Sequence, residues 1–173
     1  MNRDALLEVT SRIDAIGRHT GTIVGVLILP LVVALTYEVF ARYAFHAPTV
    51  WAYDISYMLY GAHFMLGAGY TLLRGGHIRT DILYQKWSPR TQGVIDAALY
   101  LFLFFPGIIF FFVMGFIEAW QSWSMGESSD ASPWRPPLYP LKAVIPLTAL
   151  LLLLQGVSEL LKSLYVARTG RRL

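Results

Sequence analysis

Residues 97–117, AALYLFLFFPGIIFFFVMGFI, form a run of 21 residues without Asp, Glu, Lys or Arg. An α-helix rises 1.5 Å per residue, so about 20 such residues cross the roughly 30 Å hydrocarbon core of a bilayer. Three further uncharged runs occur, at Thr20–Tyr37, Ile55–Leu73 and Ala143–Ser158. The last is short, but it spans if Lys142 extends its ammonium to the interface and the helix continues past Glu159. The sequence therefore predicts an all-α membrane protein with four transmembrane helices.

The overall composition supports this class. Hydrophobic residues make up 55% of the 173-residue chain and charged residues 14%, against about 25% charged residues in soluble domains. The formal net charge is +3, but the basic residues stand at the ends of the apolar runs and form no stripe. That distribution argues against nucleic acid as a partner. The absence of cysteine excludes disulfides, thiolate nucleophiles and cysteine metal sites.

The distribution of Lys and Arg predicts the orientation in the membrane. Eleven of the fourteen basic residues lie before the first run, between the second and third, or after the fourth. The positive-inside rule places these segments in the cytoplasm, with both termini on that side, as an even number of spans requires. The first run is too long for the apolar region of a signal peptide, so we interpret it as a retained span. The alternative is a cleaved leader followed by three spans.

The remaining patterns divide the single predicted domain, 1–173, into segments. Apolar residues recur at spacings of three and four at Leu6, Val9, Ile13 and Ile16. This pattern is typical of an amphipathic interfacial helix, or of ordinary packing beside the membrane. Ser88 and Pro89 are typical of an N-cap and the first residue of a helix. The predicted segments are an amphipathic helix at 4–17, spans at about 18–43, 51–73, 90–122 and 139–162, a cytoplasmic loop at 74–89 and a periplasmic loop at 123–138.

Ionisable residues near the spans are the candidate functional residues, because charge is costly in a bilayer. Glu38 and Arg42 stand four residues apart, so they share a helical face and can pair. Asp54 begins the second span at the same level, which predicts a Glu38–Arg42–Asp54 cluster. Such a cluster is either a substrate or proton site, or a structural clamp whose arginine holds a lipid headgroup. Its interfacial position favours the clamp, since a proton relay should lie near the midplane.

His63 is the titratable side chain predicted to lie near the middle of the membrane. A lone histidine there is more often hydrogen-bonded across a helix interface than used as a ligand. Haem binding would need a second histidine at the same depth, whereas His19 and His77 lie near the inner end and His46 lies outside. The sequence therefore predicts no metal or haem site.

Several short motifs, in their order and spacing, carry a family resemblance. They are YEVFARY at Tyr37–Tyr43, Trp51, Asp54, RGGHIRTD at Arg74–Asp81, SMGESS at Ser124–Ser129, PPLYP at Pro136–Pro140, and Lys142. Together they resemble the small membrane subunit, the Q subunit, of tripartite ATP-independent periplasmic (TRAP) transporters. The similarity runs from about Ile13 to Leu164 and includes the number of spans. Asp54 stands where many members of that family carry Glu, which preserves the charge.

The resemblance implies a division of labour in the inner membrane of a bacterium. A periplasmic substrate-binding protein captures an organic acid, and a large membrane subunit (M) moves it by a sodium-coupled elevator motion. The small subunit is an accessory scaffold, or stator, and not an enzyme. It has no catalytic residue and binds no cofactor or metal of its own. Sodium is bound by the large subunit, and the small subunit can bind a phospholipid.

The resemblance also implies roles for particular residues. Those expected to shape the helix hairpin and the subunit or lipid interface are Glu38, Arg42, Tyr43, Trp51, Asp54, Arg74, His77 and Asp81. Those expected to contact the binding protein are Glu127, Asp130 and Arg135.

Two other classes of function stay open from the residues alone. The first is the membrane anchor of a respiratory complex, which would require haem or quinone. The second is a small self-sufficient exporter built around the buried carboxylate of Glu38, although the nearby Arg42 argues against free proton exchange.

Overall fold

The computed structural model describes residues 3–76, 84 and 87–171. This part of the chain consists of six α-helices, one π-helical turn and short connections. The α-helices are α1 (Arg3–Val26), α2 (Ile28–Ala44), α3 (Ala52–Leu73), α4 (Pro89–Leu99), α5 (Phe105–Met125) and α6 (Tyr139–Thr169), and the π-helical turn is Tyr100–Phe104. The described residues contain no β-strand; Ser128 and Pro137 form one isolated antiparallel bridge. The predicted all-α architecture is confirmed.

Helices α1 and α2 form one long helical unit with an interruption at Leu27. Pro30 has no N–H to donate to the carbonyl of Val26, and its ring crowds that carbonyl. Just before this point the helix makes a tighter turn, in which the N–H of Leu27 donates to the carbonyl of Val24, three residues earlier, at 3.0 Å. The predicted amphipathic segment, 4–17, therefore belongs to the same 42-residue helical unit as the first predicted span.

Helices α4 and α5 continue into each other through the π-helical turn. The predicted N-cap is confirmed, because Ser88 Oγ accepts a hydrogen bond from the Thr91 N–H at 3.3 Å and Pro89 is the first helical residue. The π-helical turn ends just before Pro106, which can make no backbone bond to Phe102. The wider turn makes room for the proline ring without breaking the helix.

Among the described residues, three helical units are long and apolar enough to cross a membrane. They are Arg3–Ala44, Pro89–Met125 and Tyr139–Thr169. Helix α3 has 22 residues, but it is less apolar because it contains four tyrosines as well as Asp54 and His63. Its position as a fourth span is therefore not established by length and composition.

Helix α6 lies at the centre of the bundle and packs against α1, α3, α4 and α5. Close approach depends on small residues: a Cβ at Gly93 would lie 2.5 Å from the backbone nitrogen of Ala167, and one at Gly156 would lie 2.4 Å from the Phe104 ring. The buried residues of α6 all lie in its middle part, between Thr148 and Ser158.

Candidate functional site

At the hairpin between α2 and α3, which is predicted to lie on the outer side of the membrane, Glu38 connects helix α2 to the segment that leads into α3. Its Oε1 accepts hydrogen bonds from the Arg42 guanidinium, with Nε at 2.9 Å, and its Oε2 accepts from the N–H of Thr49 at 3.0 Å and from the Thr49 hydroxyl. The Glu38 side chain is 15% exposed and that of Arg42 is 56% exposed. The predicted pair is confirmed, and Thr49 is a partner that the sequence did not indicate. Both carboxylate oxygens are used to close the hairpin.

Asp54 does not join this pair, so the predicted Glu38–Arg42–Asp54 cluster is wrong. The Asp54 side chain is buried (1% exposed), and its two oxygens accept hydrogen bonds from Ser129 Oγ, at 2.7 Å, and from Ser132 Oγ. Successive helical residues are rotated by about 100°. Tyr53 lines the groove beside Glu38, and the next residue, Asp54, therefore faces a different part of the bundle.

The segment 126–138, here called the outer loop, is held in a defined shape. Its two sides are joined by the Ser129 N–H to the Pro136 carbonyl at 2.8 Å and by the Leu138 N–H to the Glu127 carbonyl at 2.9 Å. The two Asp54 bonds fasten the loop to the first turn of α3. At the exposed tip, Arg135 and Asp130 pair at 2.5 Å. The loop is thus tied to one end of the bundle, which is predicted to face the outer side of the membrane.

Lys142, near the start of α6, ties three elements together. Its ammonium pairs with Glu118 of α5 at 2.7 Å and with Glu127 of the outer loop at 2.6 Å. The hydrogen bond from Lys142 holds the pKa of the Glu127 carboxyl below its ordinary value. The sequence had pointed to a lysine that extends to the interface, and its two acidic partners were missed. The sequence does indicate the Glu118–Lys142 pair, since both residues are predicted to lie near the same membrane surface.

Other predicted residues occupy separate positions. Trp51 precedes α3 and stacks on Tyr37 with ring centroids 5.7 Å apart, whereas Tyr43 is 75% exposed. At the other end of α3, the Arg74 guanidinium lies 5.9 Å from the ring centroid of Tyr70. The structure does not bring Arg74 near the outer residues. His77 and Asp81 lie outside the described residues.

His63 has the interhelical hydrogen bond that its position predicted. Its Nδ1 lies 2.9 Å from the carbonyl oxygen of Val24, next to the interruption at Leu27. The ring therefore joins α3 to the turn where α1 gives way to α2. Across the described ranges 3–76 and 87–171, no group of three His, Cys, Asp or Glu side chains is arranged to hold a metal ion.

A second polar cluster, which the sequence did not indicate, joins α1 to α6 near the predicted cytoplasmic end. Asp14 accepts hydrogen bonds from Lys162 Nζ at 2.7 Å, Ser158 Oγ at 2.7 Å and Gln155 Nε2 at 3.0 Å. Lys162 also pairs with Glu159 at 2.8 Å. In the sequence, the indication of this contact is that the acidic Asp14 precedes the first apolar run and the basic Lys162 follows the fourth. These five residues are called the inner cluster below.

The fold and its polar contacts define a helical membrane protein whose buried and partly buried ionisable groups fasten helices to one another. Residues 31–165 match the family described as "Tripartite ATP-independent periplasmic transporters, DctQ component". The chain therefore belongs to this family and is a small membrane component of a TRAP transporter. No curated protein and no solved structure matches it.

Proposed function

We propose that this chain is the scaffold (stator) subunit of a sodium-coupled TRAP transporter that imports organic acids. Its partners are a large membrane subunit, which binds sodium and moves the substrate, and a periplasmic substrate-binding protein. The observation that supports this role is the use of buried and partly buried ionisable groups. Asp54, Glu38 and Asp14 each accept two or more hydrogen bonds from neighbouring segments of the same chain. A transport site needs groups that can exchange partners with a solute, whereas these groups hold the bundle together.

We place this subunit in the bacterial inner membrane with four spans and both termini in the cytoplasm, as the charge distribution favours. Helix α3 supplies the additional span. Its 22 residues rise about 33 Å, which matches the hydrocarbon thickness. It also packs against α1, α2 and α6, and its Asp54 and His63 side chains contact protein rather than lipid. Tyr53 and Tyr57 near its outer end suit the membrane interface.

The large subunit and lipid cover the apolar outer surface of the bundle in this proposal. Large side chains remain well exposed on α2, on the π-helical turn and on α5, including Phe40 (63%), Phe102 (76%) and Trp120 (65%). Exposed apolar surface of this extent is expected for a protein that lies in a bilayer and binds another membrane protein there.

We propose that the groove between α2 and α3 binds the headgroup and part of one acyl chain of a phospholipid. The groove has a volume of about 460 Å³, and apolar and aromatic side chains form most of its wall. Leu31 and Leu35 lie deeper in the membrane than the Arg42 guanidinium at the outer end. Because this guanidinium stays 56% exposed while it pairs with Glu38, it can also bind a headgroup phosphate. The acyl chain would then lie along Leu31 and Leu35.

The experiment that tests the proposed function is reconstitution with and without the large subunit. We expect the chain to co-purify with a large multi-span partner. We expect sodium-driven uptake of an organic acid only when the chain, that partner and the binding protein are all present. Uptake by this chain alone in proteoliposomes would contradict the scaffold role. A Soret absorption band in the purified chain would instead support a respiratory anchor.

A further inference from the structure

Near the inner cluster, the side-chain carbonyl of Gln155 points into a small cavity between three helices. Gln155 is buried (2% exposed), and its Oε1 has no hydrogen-bond partner among the described residues. A buried carbonyl left unpaired costs free energy, so such atoms in native proteins usually have a partner. The unpaired Oε1 is therefore available to accept a hydrogen bond from a small bound molecule.

The orientation of the Gln155 amide is fixed by its neighbours. Nε2 donates to Asp14 at 3.0 Å and to Glu159 at 3.2 Å. Rotating the amide by 180° would place its carbonyl oxygen against both carboxylates, which is unfavourable because all of these groups are acceptors. Oε1 therefore faces away from the acids and towards Gly17 of α1, where an added Cβ would lie 3.0 Å from it.

The cavity has the size of a single water molecule. Its volume is about 10 Å³, close to the lower limit for one bound water. Its wall comes from α1, α3 and α6 and includes Gly17, Thr20 and Gly69. The two glycines leave room that larger residues would fill, and Thr20, another wall residue, carries a hydroxyl group.

We infer that this cavity binds one ordered water molecule, which donates a hydrogen bond to Gln155 Oε1 and makes a second one with the Thr20 hydroxyl. The water links α1 to α6 beside the Asp14–Lys162 pair and completes the polar contacts of the inner cluster. It is a structural ligand, since Gln155 is the only member of the cluster that borders the cavity among the described residues. The inference stands independently of the proposed transport function.

A direct test is an experimental structure of the full chain at a resolution that shows ordered waters elsewhere in the bundle. We expect a density peak at hydrogen-bond distance from Gln155 Oε1, roughly 2.7–3.2 Å. An empty cavity in such a map would overturn the inference.

A thermodynamic test uses Gly17→Ala, whose methyl group would take the place of the water. Ala is the better helix former, so filling a dry cavity should raise Tm. Displacing a water that pairs Oε1 should instead lower Tm, by about 2–4 °C for the loss of one buried hydrogen bond in a chain of this size. Gly67→Ala is the matched control, because a Cβ at Gly67 has nothing within 4 Å. It should not lower Tm.

A steric clash of the new methyl group with Oε1 or with Leu73 would also lower Tm, so the same change is made in a Gln155→Met background. Met has a similar length and a terminal methyl group no smaller than the carbonyl oxygen, so a steric clash would remain, but it has no carbonyl to pair. The Gly17→Ala loss should then shrink or vanish, because no buried acceptor is left without its water. An equal loss in both backgrounds would identify a clash and overturn the inference.

Discussion

Ser129 donates a hydrogen bond of 2.7 Å to Asp54, a buried carboxylate that lies 75 residues earlier in the chain. Together with the bond from Ser132, this contact fastens the outer loop to the first turn of α3. The loop connects α5 to the central helix α6, so Asp54 fixes the outer ends of several helices relative to one another. In this chain a buried charge serves to position a loop.

Replacing Asp54 with Ala should loosen the outer loop. The change leaves the hydroxyls of Ser129 and Ser132 without their acceptor, and for the buried Ser129 this costs about 1–3 kcal/mol. We expect a lower Tm and faster proteolytic cleavage within 126–138. The control is Asp130→Ala, which removes an exposed ion pair and should change stability by less than about 1 kcal/mol. Equal effects of the two substitutions would contradict a special role for Asp54.

Arg42→Ala should weaken assembly while leaving substrate capture intact. The substitution removes the guanidinium that faces the groove between α2 and α3, but Glu38 keeps its two bonds from Thr49, so the hairpin should stay closed. We expect less large subunit to co-purify and an unchanged Kd of the periplasmic protein for its substrate. Arg12→Ala, which breaks an exposed pair with Glu8 on α1, is the control. A changed substrate Kd with normal assembly would argue against the structural role.

The Glu127–Lys142 contact should make stability depend on pH. Pairing with Lys142 lowers the pKa of Glu127 in the folded protein, so the unfolded state binds more protons in that range. The contribution of this contact to the free energy of unfolding is complete above the ordinary glutamate pKa of about 4.3. It is lost as pH falls through the lowered pKa of Glu127 in the folded protein. Thermal unfolding between pH 7 and pH 3 measures it. Glu127→Gln should remove this component, and an unchanged pH profile in that variant would contradict the assignment.

Charge reversal at the tip of the outer loop tests contact with the binding protein. Asp130 and Arg135 pair with each other and are exposed, so reversing one charge alters the surface without unpacking the bundle. We expect Asp130→Lys to slow uptake and leave co-purification of the two membrane subunits unchanged. The double variant Asp130→Arg with Arg135→Asp exchanges the two charges and keeps the ion pair. Comparing it with Asp130→Lys separates the effect of losing the ion pair from the effect of the altered surface charge. Normal uptake rates in Asp130→Lys would remove this contact from the proposal.

The absence of cysteine makes the topology directly testable, since any introduced thiol is the only one in the chain. Ala47 lies between α2 and α3, and Trp87 lies between α3 and α4. If α3 crosses the membrane, Ala47→Cys should react with a membrane-impermeant maleimide from outside the cell, and Trp87→Cys only after permeabilisation. Labelling of both from the same side would show that α3 does not span. Ala131→Cys, in the outer loop, is the positive control.

The amino-acid sequence determined those features that depend on composition or on residues close together along one helix. Uncharged runs of sufficient length define a helical membrane protein wherever their partners lie. Glu38 and Arg42 pair because a spacing of four residues places them on one face, and Ser88 caps a helix because its hydroxyl reaches an N–H three residues ahead. Such contacts need no knowledge of how the helices pack.

The tertiary structure decided which distant groups meet. The sequence assigned Asp54 to the Glu38–Arg42 pair because all three lie at one depth, yet a rotation of one residue turns its carboxylate towards the outer loop. The contacts of Lys142 with Glu127 and of Asp14 with Lys162 likewise depend on the rotation and register of helices around α6. Depth in the membrane can be estimated from a sequence. The direction in which a side chain points across the bundle is set by packing, and here packing decides the partner of each buried charge.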